Sequence, residues 1–473
     1  MDKKSDNFYV TTPIYYVNDK PHAGHAYTTI MTDVFARYQR KIKGKEKVFF
    51  LTGTDEHGSK VAKSAKASNL SPQEFADVVS ESYKKAWNDL DISYDEFFRT
   101  TDPRHEKVVQ DYLQQLYDNG YIYKSKYKGL YCVGCEKFLP FDEIIHNACI
   151  YHPNTTLVEQ EEENYFFKLK DFSSAVLDEI KKGGYKILPP ERENEIVSKI
   201  KGGINDVSIS RSGVAWGIPL PWDKSQTVYV WVDALLNYYS ATKIYPDKEK
   251  FWPPSLHLMA KDILWFHALV WESLLLANKI ELPKAIFAHG FFTVDGQKMS
   301  KTLGNIIDPT DLVKEYGSDA TRYLLISSFS FGNDGDISLE KFKEKYNSDL
   351  ANGVGNLVAR IAKLCETSDL DNTDISINEF SPEVVKFMDQ YRPDEAIKCI
   401  WKRIADFDRD IGEDKPWTLG IDELKAKLRI YIGRMLSIAY DLEPFLPKTS
   451  EFITKTFSQE KIIKPDSIFP RKI

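Results

Sequence analysis

The stretch Thr12-Pro13-Ile14-Tyr15-Tyr16-Val17-Asn18-Asp19-Lys20-Pro21-His22-Ala23-Gly24-His25 constrains the fold of this chain more than any other. Before it, Phe8-Tyr9-Val10-Thr11 is aromatic and β-branched, the composition of a buried strand, and Pro13 and Pro21 punctuate the loop that follows. After it, Ile30, Met31, Val34, Phe35 and Tyr38 recur at helical spacings of three and four. His22-Ala23-Gly24-His25 therefore falls where a strand turns into a helix. A helix N-terminus offers unpaired N–H groups and positive dipole, and two imidazoles flanking a glycine let a phosphate approach closely and be held from both sides. Taken alone, such a pair is more often a surface or metal-binding feature.

A second basic motif changes that balance. Lys298-Met299-Ser300-Lys301-Thr302 is preceded by Asp295-Gly296-Gln297 and followed by Gly304-Asn305. By itself it reads as a solvated turn. Paired with the upstream histidines, in this order, it resembles the two motifs of class I aminoacyl-tRNA synthetases, which bind ATP between a His-x-Gly-His loop and a mobile Lys-Met-Ser-Lys loop. The resemblance implies ATP contacts from His22, Gly24, His25, Lys298, Ser300 and Lys301, with both histidines and both lysines as the catalytic cations and donors. Ala23 stands where the family usually has a larger apolar residue and Thr302 where Ser is usual. Both departures leave the functional His and Lys in place.

A chain of 473 residues suggests two to four domains. With 42% apolar and 28% charged residues it can bury sizeable cores and stay soluble, and 63 basic against 70 acidic side chains exclude wholesale coating of nucleic acid. No segment reaches about 18 apolar residues, and the first residues show neither an apolar run nor an Arg-rich amphipathic stretch, so a cytosolic protein with no membrane partner is expected. Five cysteines, three of them in one short region, point to a metal site in a reducing compartment.

Lys47-Val48-Phe49-Phe50-Leu51-Thr52 reads as a second buried strand, emptying into Gly53-Thr54-Asp55-Glu56-His57-Gly58. In open α/β sheets ligands collect at the carboxyl ends of strands, although an Asp there is also a common turn or cap residue. This loop looks like the methionyl-tRNA synthetase version, in which the Asp pairs with the α-amino group of the amino acid. Val228-Tyr229-Val230-Trp231-Val232-Asp233-Ala234 reads as a strand returning to the sheet, and Trp231, Leu235 and Tyr238 by spacing alone are core residues. The segment is similar to the one lining the methionine pocket in that family, and a soft thioether suits aromatic surroundings. The resemblance adds Ile14, Tyr16 and His289 to the methionine site, and Asp262 and His267 of Lys261-Asp262-Ile263-Leu264-Trp265-Phe266-His267 to the ATP site. Leu256–Ala260 and Ala285–Ala288 read as further strands.

Between the loop at 53–58 and the segment starting at Val228, Cys132-Val133-Gly134-Cys135 is followed after thirteen residues by Cys149-Ile150-Tyr151-His152. Two such pairs suit one tetrahedral, structural Zn²⁺, with His146 an alternative ligand. After about Leu339 the pattern is helical throughout, suggesting a bundle of four or five helices. Asn356 and Arg360 share a face there, and Pro416-Trp417 opens a later segment. Such residues are usually structural, but they also suit stacking and edge recognition of unpaired bases, and the matching family positions contact the CAU anticodon. Asp408 stands where the family commonly has Asn.

The expectation is a Rossmann-like parallel α/β catalytic domain in two halves (1–118 and 226–338), split by a zinc-knuckle insertion (119–225) and followed by an all-α anticodon-binding domain (339–473). The implied function is that of a methionine–tRNA ligase using ATP with Mg²⁺, L-methionine and tRNA(Met). Another class I synthetase or a non-catalytic tRNA-binding paralogue is the alternative. The sequence ends without the extra tRNA-binding module that makes some family members dimers, so a monomer is expected.

Overall fold

The computed structural model describes residues 6–134, 137–139, 143–150, 153–299, 304–370 and 375–472, with the backbone alone of Tyr127, Lys137, Phe138 and Lys298. The chain divides into two compact units: Met1–Lys20 with Leu51–Ser82 and Asp95–Ala288, and Pro21–Phe50 with Tyr83–Tyr94 and His289–Ile473.

Most of a seven-stranded sheet lies in the first unit. Its members are β1 (Phe8–Thr11), β2 (Tyr15–Tyr16), β3 (Val48–Asp55), β4 (Glu96–Arg99) and the strands Lys186–Leu188, Leu256–Ala260 and Ala285–His289. In space the order is Lys186–Leu188, Ala285–His289, Leu256–Ala260, β1, β3, β2, with β4 also paired to β3. Four of these pairings are parallel: β1 with Leu256–Ala260, Lys186–Leu188 with Ala285–His289, and β3 with both β2 and β4. All eight residues of β3 are buried, as a parallel strand covered on both faces must be, which explains its continuous apolar run. Gly53 has no room for a side chain, because a Cβ there would lie 2.1 Å from the Phe98 carbonyl oxygen.

Between β4 and the Leu256–Ala260 strand, a four-stranded sheet is built on the long antiparallel pairing of Ile122–Cys132 with Val158–Phe167. Lys186–Leu188, within the expected insertion, joins the main sheet. One expected strand is a helix instead. Only Thr227–Val228 forms a strand, and Val230–Ile244 is α-helical. Val232 to Tyr238 are all buried, and a helix buried on every side loses the 3.6-residue signature and imitates a buried strand.

The second unit begins with α1 (Ala23–Lys43), which buries Tyr27, Ile30, Met31, Val34, Phe35 and Tyr38. Each such side chain stabilises the fold by about 1.5–3 kcal/mol. Fully buried Asp33 pairs with fully buried Arg322 at 2.8 Å, and the same guanidinium donates to the Phe445 and Pro444 carbonyls at 2.7 and 3.0 Å. Removing one partner of such a pair strands a charge and costs about 3–5 kcal/mol. A small sheet joins Phe292–Val294 to Gln297–Lys298 and Gly335–Ile337. Beyond it, among the described residues, come one interrupted helix spanning 339–368, kinked where Gly353 has φ −84° and ψ −106°, and helices Pro382–Asp389, Pro393–Asp414, Ile421–Leu442 and Pro447–Phe457. No helix among the described residues is long and apolar enough to cross a membrane.

Candidate functional site

In the second unit, His22 is the N-cap of α1 and His25 its third residue, and the two rings stack with centroids 3.7 Å apart. His22 Nδ1 accepts from the Gly24 N–H at 3.1 Å, while His25 Nδ1 faces the His22 N–H at 3.4 Å and the Tyr83 hydroxyl at 3.3 Å. With both Nδ1 atoms accepting, each neutral ring carries its proton on Nε2 and becomes a donor at that position. Burial, then the neighbouring His22, pushes the His25 pKa well below the ordinary imidazole value. The Gly24 requirement is steric: a Cβ there would lie 2.9 Å from His22 Cε1 and 3.6 Å from Met299 Cε. Met299 of the lysine motif thus comes up against the start of α1, where the Ala23 N–H also donates to the Ile307 carbonyl at 2.9 Å. Ser300 and Lys301 lie outside the described residues, as does the Lys298 side chain.

His289 belongs to this unit too. Its Nδ1 donates to the Gly290 carbonyl at 2.7 Å, so Nε2 accepts from the Thr28 hydroxyl at 2.7 Å, one turn into α1. Burial pushes its pKa down to about 4.

In the first unit, the exit of β3 and the Val230–Ile244 helix hold the other polar cluster. Asp55 lies opposite Tyr16 in the β2–β3 register, and Ile14 is nearly buried just before β2. Trp231 stacks on Phe266 with centroids 4.2 Å apart and planes 2° from parallel. Leu235 and Tyr238 are buried on the same helix. Tyr238, expected at the amino acid, and His267, expected at ATP, share one hydrogen bond. His267 Nδ1 donates to the Ile263 carbonyl at 3.0 Å, leaving Nε2 to accept from the Tyr238 hydroxyl at 2.9 Å. Burial brings the His267 pKa to about 4. Asp262 is exposed in the short 3-10 turn Lys261–Ile263.

Sequence reasoning missed a third group in this unit. The Asp233 carboxylate accepts from His57 Nδ1 and from His105 Nε2, both at 2.7 Å. Burial works against charge on Asp233 and His57 alike. Their mutual attraction and hydrogen bonding outweigh it, lowering the Asp233 pKa and raising that of His57. The one available signal was His105 sharing a helical face with Val109, Tyr112, Leu113 and Leu116.

For the metal, Cys132 and Cys149 are both fully buried in one small cluster with Leu139. Soft thiolates converging in a small apolar core fit the chemistry of Zn²⁺. Cys135 and His152 lie outside the described residues, and His146 is exposed. No group of three or more His, Cys, Asp or Glu able to hold a metal occurs among the described residues.

In the helical region, Trp417 is 55% exposed on the turn Pro416–Thr418, whose Pro416 is buried. The Arg360 guanidinium lies over its ring at 5.3 Å and is held by Asp408 at 3.0 Å. Asp408 is therefore an orienting partner of Arg360. Asn356 is exposed one turn before Arg360.

A parallel sheet bearing polar residues at its strand ends, with a His-x-Gly-His helix start against the lysine motif, defines a class I aminoacyl-tRNA synthetase. The family model for tRNA synthetases class I (M) matches residues 8–156 and 141–362. Methionine–tRNA ligase of Thermotoga maritima is 42% identical over 96% of this chain and 76% of its own. The chloroplastic/mitochondrial methionine–tRNA ligase of Arabidopsis thaliana is 46% identical over 77% of this chain and 61% of its own. The solved structure of Mycobacterium tuberculosis methionyl-tRNA synthetase in complex with methionyl-adenylate aligns with TM-score 0.89 at 32% identity, over 98% of this chain and all of that one. The chain belongs to the methionine–tRNA ligase family.

Proposed function

We propose that this chain activates L-methionine with ATP and transfers it to tRNA(Met). The methionine carboxylate attacks the α-phosphorus of Mg²⁺-bound ATP, forming methionyl-adenylate and releasing pyrophosphate. The terminal ribose hydroxyl of tRNA then takes the methionyl group and AMP leaves. Neither step needs a protein nucleophile, so catalysis is positioning plus stabilisation of charge on the phosphates. The observation that carries this reading is the pair His22 and His25, capping α1 with Nε2–H as the donor on each ring, beside Gly24 and Met299.

In this reading His22, Gly24, His25, Lys298, Ser300 and Lys301 hold the ATP phosphates, and Asp262 and His267 the adenosine side. Asp55 takes the α-amino group, while Ile14, Tyr16, Trp231, Leu235, Tyr238 and His289 form the methionine site. The Tyr238–His267 bond makes those two assignments interdependent. Cys132, Cys135, Cys149 and His152 would hold one Zn²⁺, which supplies a structural cross-link to the insertion and no chemistry to the reaction. Asn356, Arg360, Pro416 and Trp417 read the anticodon.

The domain limits proposed are 1–118 and 226–338 for catalysis, 119–225 for the insertion and 339–473 for the anticodon domain. Cysteine usage supports a cytoplasmic location, and a monomer is the proposed state, to be measured by light scattering. The functional test is ATP–pyrophosphate exchange with each amino acid in turn, followed by charging of tRNA. Exchange driven by methionine above all others is expected. Exchange driven by another amino acid, or none, overturns the reading.

A further inference from the structure

The group His57–Asp233–His105 has no place in the reaction just described. Asp233 sits in the first turn of the Val230–Ile244 helix and is 1% exposed. A carboxylate only accepts, so both imidazoles donate to it, His57 from Nδ1 and His105 from Nε2. His105 Nδ1 is then left to accept from the Ser240 hydroxyl at 2.8 Å, two turns further along the same helix. The groups facing His57 are Asp233, Glu106 at 3.9 Å from Nε2, the charge of Glu56 and the edge of Trp216. Those facing His105 are Asp233, Ser240 and Phe98. One carboxylate thereby ties together the loop after β3, the first turn of the Pro103–Asp118 helix and the Val230–Ile244 helix.

What those pieces carry gives the tie its meaning. Asp55 precedes His57 by two residues, and Trp231 precedes Asp233 by two, with Leu235 and Tyr238 on the same helix. Well-packed apolar residues would serve stability as well as a buried charged group. A charged tie with both oxygens occupied adds directionality, since it fixes the orientation as well as the separation of the parts it joins. We propose that Asp233, through His57, is a positioning residue that determines amino-acid specificity: it sets the span between the Asp55 carboxylate and the Trp231, Leu235 and Tyr238 wall, and so the side-chain length accepted. This rests on the assignment of those residues to methionine.

The test is Asp233→Asn in the full chain, by pyrophosphate exchange with methionine, with S-methylcysteine as the shorter analogue and with the homologue one methylene longer. One methylene is ordinarily discriminated by roughly 10–200-fold. In Asp233→Asn the KM for methionine should rise about tenfold while the KM for ATP stays within about twofold, and the preference for methionine over both analogues should fall at least about fivefold. His57→Asn, whose amide can replace Nδ1–H, should keep the preference, and His57→Leu should lose it. Thermal melting identifies any variant that does not fold. If Asp233→Asn is such a variant, the His57 pair decides, with Ser240→Ala as the milder probe.

A lower melting point with all kinetic parameters falling together and the preference unchanged means Asp233 merely packs, and overturns the proposal. Wild-type protein that does not activate methionine overturns the underlying reading instead, so the two failures are distinguishable.

Discussion

Trp231 and Trp417 show two ways of presenting an indole. Trp231 is half-buried and flat against Phe266, on a helix whose first turn is anchored by Asp233. Trp417 is 55% exposed, with one guanidinium on its face and Asp408 holding that guanidinium. The contrast follows from ligand size. A single amino acid has little binding energy to spend on ordering a site, so its walls must be rigid beforehand. An RNA loop brings several bases and can splay them onto a face left open in solvent. The first region accordingly pairs buried polar groups with one another, as in Tyr238–His267 and His57–Asp233–His105. The second keeps Asn356 and Trp417 exposed.

The largest expected effect supplies the reference for this contrast. His25→Ala removes a donor needed in the transition state and should lower the rate of adenylate formation by about 10²–10³ with little change in methionine KM. Pyrophosphate exchange measures it, and a rate within a few-fold of wild type would remove the histidine pair from catalysis.

Trp231→Ala should raise the methionine KM by roughly 10- to 100-fold, the equivalent of about 1.5–3 kcal/mol of lost side-chain burial. The tRNA KM, measured by charging, should not move. Trp417→Ala should do the reverse: charging falls by roughly one to two orders of magnitude, from about 1–3 kcal/mol of lost stacking, while exchange is untouched. If both truncations depress exchange and charging in parallel, the contrast collapses and both are packing residues.

Acid should not distinguish the two regions. His267 and His289, one in each unit, are held near pKa 4 by burial, against about 6.5 unfolded. The unfolded chain binds more protons across that window, so both contributions to stability decline as pH falls from about 6.5 toward 4. His57 works oppositely. Its raised folded pKa stabilises fully below the unfolded value, and this is lost as pH rises through the folded one. The thermal midpoint measured from pH 4 to 7 should fall with acid, and His267→Gln should flatten that slope. An unchanged slope would mean the buried state is not neutral.

Loss of the metal should have only a small effect on exchange. Elemental analysis should find about one Zn²⁺ per chain, and Cys149→Ser should lose it while exchange changes only a few-fold. Protein purified without chelator and carrying no zinc would count against the site.

Where local chemistry and fold agree, the sequence alone sufficed. Phe8–Thr11, the run from Val48, Leu256–Ala260 and the strand from Ala285 are strands because short, mostly apolar runs in an α/β chain fit a sheet covered on both faces. The histidine pair marked a helix start because capping and phosphate binding draw on the same unpaired N–H groups. Tertiary structure alone decided the rest. Val230–Ile244 is a helix because burial on every side erased the period that would have identified it. No sequence pattern joins positions 57, 105 and 233, since a carboxylate chooses its partners by distance in space. The role of Asp408 likewise became visible only when folding placed it on Arg360 and Arg360 on Trp417. Sequence carries the chemistry of single elements, whereas the pairing of charges between elements depends on how the elements pack.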